Sequence, residues 1–156
     1  MLLEETKKVL MDAGWYEGRK IDISKHIEFL EDMGYEVFDE LKKFLQEFGD
    51  LKIILEEDDP IDPEENTIEY STCIIDIVSG WGRNINKDKR AGEKTIPVAK
   101  LDNGYILAYI SESGRFYTFE GLFNSNTDKF WNCLFGGERE RPLTWRELEK
   151  INREAM

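Results

Sequence analysis

The chain has 156 residues, with 33 Asp and Glu against 21 Lys and Arg, one His, two Cys and a net charge of −12. That length suits a single domain over residues 1–156, able to bury roughly two-thirds of its unfolded surface, and 40% apolar with 12% aromatic residues excludes wholesale disorder despite 35% charge. No apolar run is long enough to span a membrane, and Met1-Leu2-Leu3-Glu4-Glu5 has neither the basic start nor the apolar centre of a signal peptide, so a cytoplasmic protein is expected.

Leu2, Leu3, Val9, Leu10 and Ala13, interspersed with Glu and Lys, predict a first helix that ends at Gly14, a residue able to take φ > 0. Trp15 is then expected to pack over the bend, and Arg19 to reach back to carboxylates. Ser24 is read as the cap of a second helix, with Ile27, Phe29, Leu30 and Met33 on its apolar face and Gly34 at its exit. Tyr35, Val37, Phe38, Leu41, Phe44, Leu45 and Phe48 recur at helical spacing up to Gly49 and predict a third helix whose rings belong to the core.

Leu51 to Leu55 is short, apolar and rich in β-branched residues, hence a strand. Residues 56–66 carry two prolines and a run of like charges, which makes them an acidic loop. Thr67 to Tyr70 reads as another strand. Thr72 is placed as the cap of a short buried helix over Cys73 to Val78, with strand as the alternative, and the basic, glycine-punctuated stretch from Gly80 to Gly92 as a mobile surface loop.

Three strands are then predicted at Thr95–Lys100, Tyr105–Ile110 and Arg115–Phe119, joined by the turns Asp102-Asn103-Gly104 and Ser111–Gly114. An Asn-Gly pair between apolar runs is a hairpin signal, so these form an antiparallel meander. Lys129 to Phe135 predicts a helix ended by Gly136-Gly137. Thr144 and Glu147 form a capping box that opens a last helix through Arg153. The fold class is therefore α+β, an antiparallel meander with helices packed at its N- and C-terminal ends.

Chemical equipment is sparse. A single histidine, His26, placed on the surface of the second helix, excludes two-His metal sites and His-dependent triads. Cys73 and Cys133 are isolated in apolar surroundings and read as small buried hydrophobes. Nucleotide-binding, zinc and nucleophile-elbow motifs are all missing, so no cofactor or metal is expected. Asp58, Asp59, Asp62, Glu64 and Glu65 supply hard oxygens without the ligand alternation and central glycine of a calcium loop.

Charge is unevenly placed: residues 1–70 hold 21 acidic against 8 basic residues, and residues 71–156 hold 12 against 13. A field of that sign repels nucleic acid and anionic membrane and steers basic partners into encounter.

Several motifs occur in a telling order. Ala13-Gly14-Trp15-Tyr16-Glu17-Gly18-Arg19 is followed by the helix from Ser24, then by Phe44-Leu45-Gln46-Glu47-Phe48-Gly49-Asp50-Leu51, Ile96-Pro97-Val98, Gly104-Tyr105-Ile106 and Ser113-Gly114-Arg115-Phe116-Tyr117. Over residues 8 to 135 the series resembles the third subfamily of the SUKH superfamily, with Ala99 standing where that pattern has glycine after Pro97-Val98. The resemblance implies an immunity protein, not an enzyme, that binds and neutralises a cognate toxin domain of a bacterial polymorphic-toxin system, commonly a nuclease or deaminase, by stoichiometric occlusion.

Contact residues do not come with the resemblance, and loop chemistry nominates them instead. Asp58, Asp59, Asp62, Glu64 and Glu65 are expected as charged rim, and Trp81 as an aromatic anchor. Two other readings stand beside this one: a regulatory or scaffold module, the role attributed to eukaryotic relatives in cell-wall signalling, and a carboxylate-dependent hydrolase.

Overall fold

The computed structural model describes residues 1–56, 67–81 and 88–154, apart from the side chains of Trp81, Asp88 and Lys89. Three helices come first: α1 (Glu4–Asp12), α2 (Ser24–Asp32) and α3 (Asp39–Phe48). The remaining helices are α4 (Ile74–Trp81), α5 (Asp88–Ala91), α6 (Thr127–Phe135) and α7 (Trp145–Glu154). Seven strands follow one another across a single sheet in chain order, every neighbouring pair antiparallel. They are β1 (Lys52–Glu56), β2 (Thr67–Ser71), β3 (Thr95–Leu101), β4 (Ile106–Ser111), β5 (Phe116–Thr118), β6 (Gly121–Asn124) and β7 (Leu143–Thr144). This is the expected α+β meander with helices at both ends.

Local differences have local causes. α3 begins at Asp39 because Tyr35 to Phe38 are not helical, Phe38 entering it in extended conformation, and Asp39 and Glu40 then complement the positive end of the helix. Asp22, not Ser24, ties the start of α2: its Oδ1 accepts from the Ser24 amide at 2.9 Å and from the Ser24 hydroxyl at 2.6 Å. Thr72 is buried and pins the α3–β1 corner, donating from Oγ1 to the Phe48 carbonyl at 2.5 Å and accepting from the Leu51 amide at 2.9 Å. The stretch expected as a mobile loop from Gly80 contains the end of α4 and all of α5, whose Ala91 is buried; residues 82–87 lie outside the described residues.

Trp15 does close the first bend, stacked parallel on Phe48 with centroids 6.2 Å apart, and Gly14 takes φ 112° there. Arg19 reaches the backbone carbonyl of Glu47 at 2.7 Å, while the Glu47 carboxylate accepts from the Trp15 indole at 3.1 Å. His26 is buried rather than on the surface: its Nε2 lies 2.8 Å from Asp50 Oδ2. A carboxylate oxygen only accepts, so Nε2 is the donor of this bond, and Nδ1 is buried with no partner among the described residues. The two cysteines are half-buried, more open than the expected core thiols.

Pairing register sorts the sheet into two faces. Ile96, Val98 and Leu101 on β3, Ala108 and Ile110 on β4, and Phe116 on β5 face the main core, where they meet Leu41, Phe44 and Phe48 of α3, Ile74 and Val78 of α4, and Phe130 and Trp131 of α6. A bulge between Pro97 and Ala99 lets both halves of β3 keep their apolar residues on this side. It also explains how a proline sits in a central strand; Val98 is the extra residue, and Ala99 is buried and paired with Ala108 in the strand. Leu107, Tyr109, Tyr117, Leu122 and Leu143 point the other way.

Candidate functional site

A strand that is apolar at every position, as Ile106 to Ile110 is, needs cover on both faces. On the second face that cover is partial. α7 lies over one end, burying Leu148 and stacking Trp145 parallel on Tyr117 at 5.5 Å. The Trp145 indole donates to the Phe119 carbonyl at 2.8 Å, which fixes the ring and the β5–β6 turn together. Beyond α7 the face stays open as a groove of about 570 Å³.

Leu107, Tyr109 and Tyr117 form the floor of this groove, Trp145 and Phe119 one wall, and Ile77 and Gly80 of α4 the other. Tyr105 and Phe119 are 84% and 66% exposed, far more than aromatic rings in a sealed core. Arg90 sits with its guanidinium carbon 5.6 Å from the centre of the Trp145 ring, a cation–π contact, and Lys100 lines the groove from β3. Among the described lining residues none is a carboxylate.

Tyrosine hydroxyls at the floor are neutral at physiological pH. Burial pushes Tyr109 up to about 12, and burial together with the nearby Glu93 carboxylate pushes Tyr117 up to about 12. The Tyr117 hydroxyl donates to Glu93 at 3.0 Å, and Glu93 also accepts from the Ser113 amide and hydroxyl, each at 2.9 Å. Three donors on one carboxylate clamp the segment after α5 to the β4–β5 turn, which positions Arg90.

The residues nominated from sequence stand as follows. Asp58, Asp59, Asp62, Glu64 and Glu65 lie outside the described residues. Their flanks, Glu56 and Thr67, form the last rung of the β1–β2 pair. Asn103 holds that rung's neighbourhood, accepting from the Glu69 amide at 2.7 Å and donating to the Thr67 carbonyl at 3.5 Å, two residues before Tyr105 of the groove. Trp81 ends α4 beside Gly80 of the groove wall, and its side chain is outside the described residues.

Tyr105, Tyr109, Tyr117, Phe119, Arg90, Lys100 and Trp145 were not anticipated as site residues. The readable signal was the doubly apolar β4. Among the described residues no three or more His, Cys, Asp or Glu side chains come together to hold a metal ion, and no helix is long and apolar enough to cross a membrane.

Fold and groove together define a class: an antiparallel-sheet α+β module of SUKH-like architecture, sealed by helices on one face and presenting aromatic rings on the other. The SUKH-3 immunity protein family model matches residues 2–137, and the chain belongs to that family. It is thus an immunity protein, of a class that binds a toxin partner and is not an enzyme. No curated protein and no solved structure matches the chain.

Proposed function

We propose that this immunity protein neutralises a cognate bacterial toxin domain of nuclease or deaminase type by one-to-one occlusion in the cytoplasm, acting as one domain over residues 1–156. The family match over residues 2–137 carries the reading. Enzymes that act on nucleic acid need a basic substrate channel, and an inhibitor that presents carboxylates there speeds encounter and competes with phosphates. Asp58, Asp59, Asp62, Glu64 and Glu65 are the rim charge in this proposal, and Trp81 is its aromatic anchor. The acidic excess of residues 1–70 in a chain of net charge −12 supports that assignment.

The test is protection in trans. Co-expression with the toxin domain encoded beside this gene restores growth, and the purified pair elutes as a one-to-one complex. Growth that stays arrested refutes the reading, and so does a neighbouring domain without toxicity.

A further inference from the structure

The groove has the wrong sign for the basic channel just described. In a chain of net charge −12, its described lining contains Arg90 and Lys100 and no carboxylate. Neither cation has an ion-pair partner among the described residues; Arg90 is laid against Trp145, a contact that leaves guanidinium donors available to a carboxylate. Between the cations the lining is apolar or phenolic; the nearby Glu93 carboxylate is not part of it and is occupied by the Tyr117 hydroxyl and by the Ser113 amide and hydroxyl, so an entering carboxylate meets Arg90 and Lys100 as its charged neighbours in the described lining.

We propose that the groove seats an acidic segment of the toxin, an Asp or Glu flanked by an aromatic or large aliphatic side chain. This rests on the toxin-binding reading and adds a second contact of opposite polarity. The apolar side chain fills the space over Leu107 and Tyr109, beside the Trp145 ring that covers Tyr117, and the carboxylate meets Arg90 and Lys100 at the edge. An open groove with two exposed rings at its margin suits a chain segment, because such rings are the residues that most often dominate protein interfaces. Two cations in so acidic a molecule make a poor track for nucleic acid, whose binding depends on neutralising many phosphates.

The test uses the full chain and synthetic peptides, with no toxin present. An acetylated Gly-Asp-Phe-Glu-Phe-Gly peptide, its Asn/Gln analogue and its Lys analogue are titrated while backbone amide resonances are followed. The acidic peptide shifts the amides of Leu107, Tyr109, Tyr117 and Trp145 and binds about fivefold or more tightly than the amide analogue. Arg90→Gln, at an exposed charge, and Lys100→Gln, at a half-buried one, each weaken it about two- to fivefold, the range of ion pairs open to solvent, and raised salt removes the difference between peptides.

Equal binding of the neutral or basic peptide overturns the proposal, as does the absence of groove shifts at millimolar acidic peptide. Benzoate binding as tightly as the peptide makes this a small-acid site and overturns it too. So does a twelve-residue oligothymidylate that shifts the same amides. Failure of growth protection bears on the toxin reading alone, since the peptide titration is independent of it.

Discussion

Aromatic residues occur in this protein in two settings, and paired substitutions separate them. Phe44 is 2% exposed and meets three other rings, Phe48 at 5.7 Å, Phe116 at 5.6 Å and Trp131 at 6.1 Å. Truncating it to alanine removes a phenyl group from contacts made by α3, β5 and α6 at once, which leaves little freedom for any one of them to collapse into the space. The expected cost of Phe44→Ala is about 3–5 kcal/mol, and for a chain of this size that lowers the melting temperature by about 10–15 °C. Phe119 is 66% exposed, and its backbone bond from Trp145 survives truncation. Phe119→Ala should change stability by no more than about 0.5 kcal/mol, yet weaken toxin binding about tenfold as the loss of an interface ring. Thermal melts and urea titrations of both variants give the stability values, and binding by calorimetry gives the affinity. A Phe44→Ala protein that melts within about 3 °C of the parent, or a Phe119→Ala protein that is equally destabilised, refutes the division between core and site.

Gly121→Ala should be strongly destabilising, because Gly121 has φ 142° and an added Cβ would lie 2.1 Å from the Leu143 carbonyl oxygen; loss of amide protection confined to β7 and α7 is the expected signature, and an unchanged melt refutes it. Alkaline titration followed by tyrosinate absorbance should show two of the six tyrosines, Tyr109 and Tyr117, ionising near 12. Since their folded pKa values lie above the ordinary phenol value, the stability they contribute is complete below about pH 10 and is lost as pH rises through 12; stability that is flat over that window contradicts their burial. Changing Asp58, Asp59, Asp62 and Glu64 together to Asn or Gln should slow association with the toxin about tenfold at low salt, with the off-rate little changed; equal on-rates remove the acidic loop from the interface.

Helices and hairpins whose signals are local were legible in the sequence. Thr144 and Glu147 form their capping box, the Glu147 amide donating to Thr144 Oγ1 at 3.2 Å, and the hydrogen bond from the Thr144 amide heads the causes that hold the Glu147 carboxyl below its usual range. Asn103 and Gly104 turn between β3 and β4 with φ of 57° and 87°. Elements defined by tertiary contact were not. β7 is two residues long and exists only because Gly121 and Leu122 lie opposite it. His26 reads as a surface helix residue until α2 is packed against the α3–β1 corner, where Asp50 at φ 59° turns its carboxylate toward the ring. The groove is a further case: Arg90, the β3–β4 hairpin with Lys100 and Tyr105, and Trp145 come from three separated stretches, and no local pattern joins them.

Sequence reasoning looked for contact residues where charge is densest, and that choice captures only half of an electrostatic argument. Charge density sets the rate of encounter and falls away over about 10 Å at ordinary salt. Orientation instead needs two zones of unlike sign at fixed separation, so that only one docking pose satisfies both. The acidic stretch of residues 56–65 departs from the β1–β2 pair next to Asn103, and the cationic aromatic groove begins two residues further along the chain at Tyr105. A toxin surface with a basic channel beside an acidic, apolar segment fits that order of zones, and a toxin with the basic channel alone does not. On the interface proposed above, related toxins that share a basic active site are all attracted, while only one with the acidic segment in register also reaches Arg90 and Lys100. Exchanging the sign of those two residues should therefore spare the salt-dependent on-rate and raise the off-rate, the reverse of what neutralising the acidic loop does. Stopped-flow association and dissociation of the Arg90→Glu, Lys100→Glu double variant measure this directly, and a change confined to the on-rate would place the groove outside the docked interface.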